Sequence, residues 1–117
     1  MSVRARFRQR GMVTVELALG FVTATVMLAG LVTMGQIGVA HAACAESSAE
    51  LARQAARGDD AAVAAAERRL PRGGRAEVER DIDGVRAVVA TEVDVLGIGQ
   101  VPVAAEAFAA WEPGEAP

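Results

Sequence analysis

No Asp, Glu, Lys or Arg occurs between Glu16 and Glu46, so 29 consecutive residues, Leu17 to Ala45, are uncharged. Within the first 19 of them, Leu17 to Gly35, only Thr23, Thr25 and Thr33 carry a polar side chain. As a helix rising ~1.5 Å per residue, that window covers ~28 Å, close to the ~30 Å hydrocarbon core of a bilayer. The competing reading is the buried helix of a water-soluble domain. In a chain of 117 residues, about 70 follow the uncharged run, rich in Ala and with one Trp, too few to enclose so apolar a helix. The segment reads as a membrane span.

Charge is divided unequally around it. Arg4, Arg6, Arg8 and Arg10 precede the span with no acid among the first ten residues. From Gly11 onward eight Arg face 15 Asp and Glu, a balance of −7. By the positive-inside rule this holds the N-terminus in the cytoplasm and sends the C-terminal part across the membrane. The overall charge of −3, an average over these two unlike regions, argues against a nucleic-acid binder. A single Cys excludes an intramolecular disulfide framework and paired-cysteine zinc sites. His41 and Cys44, three apart on one helical face, are too few for a metal site, and Asp81, Asp83, Glu92 and Asp94 lack calcium-loop spacing. Gly97-Ile98-Gly99 is no phosphate loop, because no helix start follows it. The sequence offers no catalytic constellation and implies neither enzyme activity nor a cofactor.

Three kinds of chain begin with a basic and then an apolar segment. A cleavable secretory signal would use Ala40-His41-Ala42 as its small-x-small site, but the uncharged run far exceeds an h-region of 7–15 residues, and Glu16 opens it. An uncleaved signal anchor with a partner-binding head explains the span but leaves Gly11 and Glu16 without a purpose. The third reading takes the junction Arg10-Gly11-Met12-Val13-Thr14-Val15-Glu16 as the signal. An acid at the membrane needs a physical reason, since burying one at the bilayer centre costs ~2.5–3.5 kcal/mol. Cleavage between Gly11 and Met12 would create a free α-amino group four residues before Glu16, one helical turn away. The carboxylate could pair with that amine, or with the amine of a neighbouring subunit.

This junction resembles a type IV prepilin processing site. The run Arg10-Gly11-Met12-Val13-Thr14-Val15-Glu16-Leu17-Ala18-Leu19 is similar to the opening of TadE-like proteins, minor pilins or pseudopilins of tight-adherence (Flp-type) pili. The resemblance covers roughly Arg10 to Gly38. It implies removal of the leader by a prepilin peptidase after Gly11, a mature chain starting at Met12, and Glu16 as the acid that serves assembly. It also implies membrane lipid, other pilin subunits and pilus assembly platform proteins as partners, at the bacterial cytoplasmic membrane.

The remainder is expected to form an α+β head. Helical pattern continues past Gly35 to about Arg57, with Glu50 and Arg53 three apart and Leu51 the one large apolar residue between Glu46 and Arg57. A helix from Val13 to Arg57 would be ~68 Å long and would project as a stalk whose Ala face suits helix packing. Asp60 is expected to cap a short helix over Ala61 to Leu70, ended by Pro71-Arg72-Gly73-Gly74. Arg75 to Asp81, Val85 to Leu96 and Val101 to Trp111 read as three strands of a β-meander, with Asp83-Gly84 as a hairpin turn. The expected organisation is a basic leader at 1–11, a transmembrane and stalk helix at 12–57, a small head at 58–111 and a disordered tail at 112–117.

Overall fold

The computed structural model describes the backbone of residues 3–116 and the side chains of residues 9–116. Five elements follow in chain order: helix α1 (Val3–Ala56), helix α2 (Asp60–Glu67), and strands β1 (Arg75–Arg80), β2 (Gly84–Val95) and β3 (Gly99–Ala110). The chain divides into two units, Met1–Met34 and Gly35–Pro117. A long N-terminal helix followed by a three-stranded antiparallel sheet is the α+β arrangement expected.

In the first unit α1 begins at Val3, ten residues before the start read from the sequence. Arg, Ala and Gln are good helix formers, and one Gly at ~1 kcal/mol does not interrupt such a run. Gly11 therefore lies inside the helix. From residue 9 to residue 28 every residue is exposed within the chain.

In the second unit the rest of α1 packs on the sheet. Cys44, Ser48, Leu51, Ala52, Ala55 and Ala56 form a buried stripe at three- and four-residue spacing. They meet Val85, Ala87 and Val89 of β2. Ala76 and Val78 of β1 and Ala105, Ala107 and Ala109 of β3 pack against the same core. The strand registers place these residues on one face: Ala76 and Ala105 flank Val89, and Val78 and Ala107 flank Ala87. The stripe's Ala face, expected to serve helix packing, is spent on this sheet. Small residues let backbones approach closely, and fully buried Leu51 contributes ~1.5–3 kcal/mol of hydrophobic stabilisation. Ser48 is buried without penalty because its hydroxyl donates to the Ala45 carbonyl at 2.9 Å.

Gly58 terminates α1 in the left-handed conformation, φ 71°. Asp59 N–H donates to the Gln54 carbonyl (3.2 Å) and Gly58 N–H to that of Ala55 (3.0 Å), the paired bonds of a Schellman ending. Asp59 then caps α2 by accepting from Ala62 N–H at 3.0 Å. The cap is thus Asp59 and not Asp60, and α2 closes at Glu67, three residues short of the expected Leu70.

β2 and β3 pair along their full length, from Gly84↔Ala110 to Val95↔Gly99, whereas β1 covers β2 only from Val85 to Ala90. The β1–β2 turn is centred on Ile82-Asp83 rather than Asp83-Gly84, with Asp81 and Gly84 exchanging backbone hydrogen bonds of 2.8 and 3.3 Å. Gly84 belongs to the strand for a packing reason. A Cβ there would fall against the Ala109 carbonyl oxygen and 2.6 Å from the Phe108 ring. Trp111 covers this end, its indole N–H donating to the Asp81 carbonyl at 2.8 Å.

The segment after β3 is tied down where it leaves the sheet. Glu112 N–H donates to the Ala56 carbonyl (3.2 Å), and its carboxylate pairs with the Arg57 guanidinium at 2.9 Å. That pairing raises the Arg57 pKa above its ordinary value. Pro117 lies outside the described residues.

Candidate functional site

The residues singled out by the sequence sit on the first unit of α1. Arg10, Gly11, Met12 and Glu16 are all solvent-exposed, Met12 at 71%. A Cβ at Gly11 would meet nothing within 4 Å, so no packing in this chain demands a glycine there. Among the described residues the Glu16 carboxylate forms no hydrogen bond or ion pair. Met12 and Glu16, four apart on the helix, share one face, where side chains at this spacing are neighbours. The side chains of Arg4, Arg6 and Arg8 lie outside the described residues.

The polar groups of the apolar window are satisfied within the helix. Thr23 donates its hydroxyl to the Leu19 carbonyl (2.9 Å), Thr25 to that of Phe21 (2.9 Å) and Thr33 to that of Ala29 (2.9 Å). Thr14 does the same to Arg10 at 3.0 Å. In hydrocarbon no water can take over an unpaired hydroxyl, so bonding to the carbonyl four residues back is what a lipid-facing threonine requires. Around them Leu17, Leu19, Phe21, Val22, Val26, Met27, Leu28 and Leu31 all project outward. A helix apolar on every side is one that is covered in use, by a membrane or by other protein. The helix is long and apolar enough to cross a membrane, its best window reaching a mean hydropathy of 2.0. One long apolar N-terminal helix is consistent with a single-pass membrane anchor.

Past this segment, Cys44 is fully buried, its Sγ 4.0 Å from the Val103 carbonyl oxygen. Burial pushes its thiol pKa up. Cys44 is a small core residue inaccessible to another chain's cysteine while the head is folded. His41, three residues earlier, is exposed. Glu50 accepts from the Gln54 amide (2.7 Å) and the Arg53 guanidinium (3.0 Å), which together hold its carboxyl below the usual range. Among the described residues no three His, Cys, Asp or Glu side chains are grouped so as to hold a metal ion.

No family model, curated protein or solved structure matches the chain.

Proposed function

We propose that the protein is a TadE-like minor pilin or pseudopilin of a bacterial tight-adherence pilus, cut by a prepilin peptidase after Gly11 and assembled through its N-terminal helix with other pilin subunits and platform proteins. The observation that carries this reading is the junction itself. Gly11 is unconstrained by packing, and Glu16 stands on the same exposed helix, one turn beyond the new N-terminus, with no ion-pair partner among the described residues. A carboxylate at the edge of lipid calls for a positive charge, and cleavage supplies one four residues upstream. Glycine has the least helical preference of the residues near the cut, so unwinding to admit a peptidase costs least there. The leader arginines hold the N-terminus in the cytoplasm and the head outside.

N-terminal mass spectrometry of the membrane-bound protein, with the peptidase present, tests the processing step. The expected N-terminus is Met12, 11 residues into the chain. Gly11→Ala meets no neighbour but favours the helix by ~1 kcal/mol, so slower cleavage is expected in that variant, from costlier unwinding as well as from peptidase recognition. An intact leader would return the protein to the uncleaved single-pass anchor with a partner-binding head. A start at Ala43 would make the segment a secretory signal.

A further inference from the structure

The β2–β3 hairpin tip is built at odds with solubility. Its turn has Leu96 and Gly97 both in the left-handed conformation, φ 54° and 70°, closed by Ile98 N–H donating to the Val95 carbonyl at 3.0 Å. Asn, Asp or Gly takes the first of these positions readily, whereas a bulky Leu is strained there. Leu96 gains little packing to repay the strain, for the residue is 59% exposed. Ile98 is 85% exposed, the highest value among the exposed large apolar side chains. From Val95 to Ala105 no residue is charged.

Two ties fix which way this tip points along α1 within residues 35–117. Cys44 lies against Val103, and Ala56 accepts from Glu112 N–H. Passing from Glu112 to Val103 along the chain therefore means passing from Ala56 towards Gly35 along the helix. From Val103 the strand and turn continue five residues to Ile98, ~17 Å at ~3.3 Å per residue. From Cys44 the helix needs nine residues to reach Gly35, ~14 Å. The ties set nine residues of chain, ~30 Å, against twelve of helix, ~18 Å, so the strand runs obliquely. The tip therefore reaches ~10 Å past Cys44, near Ile37, towards the Gly35 end of this unit. The opposite end of the sheet is charged: Ile82, also exposed there, stands among Arg80, Asp81 and Asp83.

We propose that Leu96-Gly97-Ile98 inserts into the headgroup–acyl boundary of the same bilayer that the N-terminal helix enters, giving the head a second contact with lipid. Asp94 and Glu92, on the outer face of β2 opposite Gln100 and Pro102, limit the depth to the turn itself. The inference rests on the membrane-anchor reading of α1 and is independent of the pilus assignment. A phospholipid surface is favoured over a protein partner because the tip lies towards the end of the head at which the chain enters from the apolar window, and because it carries no charge to specify a partner.

The test uses the full chain in the Cys44→Ala background, with an environment-sensitive fluorophore on Val26→Cys, Ile82→Cys or Ile98→Cys. Each variant is reconstituted into phosphatidylethanolamine/phosphatidylglycerol vesicles containing lipids spin-labelled high on the acyl chain. The expected result is a blue-shifted Ile98 probe, quenched by the lipid label at least ~3-fold more than the Ile82 probe. Equal quenching at the two sites, with the Val26 probe blue-shifted and therefore inserted, overturns the tip contact alone. An Ile98 probe shielded from aqueous iodide yet unquenched by lipid overturns it in favour of a protein contact. A Val26 probe in water overturns the anchor and the tip contact together.

Discussion

Gly84 and Cys44 show how little space the head leaves for change. A methyl group at Gly84 would press on the Ala109 carbonyl and the Phe108 ring, so Gly84→Ala is expected to destabilise the head by ~1–3 kcal/mol. Thermal unfolding followed through the near-ultraviolet signal of Trp111, which covers this end, measures it. Cys44 is expected to resist alkylation at neutral pH in the folded chain and to react once denaturant is added, because it is fully buried. Its pKa is raised in the folded state, so the folded form holds the proton more tightly than the unfolded one. The stability carried by the neutral thiol is therefore complete below the unfolded thiol's pKa and is lost as pH rises through the higher folded one. Equal alkylation rates with and without denaturant would contradict the buried assignment.

At the scale of elements, the helix and three strands are legible because their signals are long. An uncharged run of 29 residues has few alternatives to a helix, and the run after Gly84 is dense in β-branched Val at 85, 88, 89, 93 and 95. Short-range features are less legible. Asp59 and Asp60 are equally good caps in isolation, and only the Schellman ending at Gly58 places Asp59 at the start of α2. Asp83-Gly84 has the composition of a hairpin turn, yet Gly84 is required inside the strand by the closeness of β3, contact the local sequence does not contain. The Ala face of α1 gave no hint of its partner either, since Ala packs as well on a sheet as on a helix. Gly11 and Glu16 could be picked out by spacing, whereas the exposed turn at Leu96 and Ile98 emerges only from the fold. Orientation of the anchor belongs to this scale as well. A reporter active only outside the cytoplasm, fused after Pro117, is expected to be active, and activity of a cytoplasm-only reporter there would contradict the topology.

The whole molecule joins a helix that covers itself with nothing to a head held together mostly by alanine and valine. In the proposed membrane anchor, lipid would cover the apolar side chains of the first unit but would offer Glu16 no counter-charge. In the proposed assembly the amine exposed at Met12, on the same subunit or a neighbour, supplies it. If so, the charge of Glu16 serves incorporation and not the preceding cut, which is made on the far side of Met12. Glu16→Gln keeps the size and polarity of the side chain and makes insertion cheaper. Glu16→Asp keeps the charge but shortens its reach, and is expected to fall between the parent and Glu16→Gln. The direct measurement quantifies sheared pili beside mature protein in the membrane for the parent chain and Glu16→Gln. The account predicts normal insertion and near-normal processing in Glu16→Gln, with pilus incorporation or pilus production lost. A dipole effect at the helix start, worth only ~0.3–1 kcal/mol, would leave piliation intact, and parental pilus levels in Glu16→Gln would contradict the pairing.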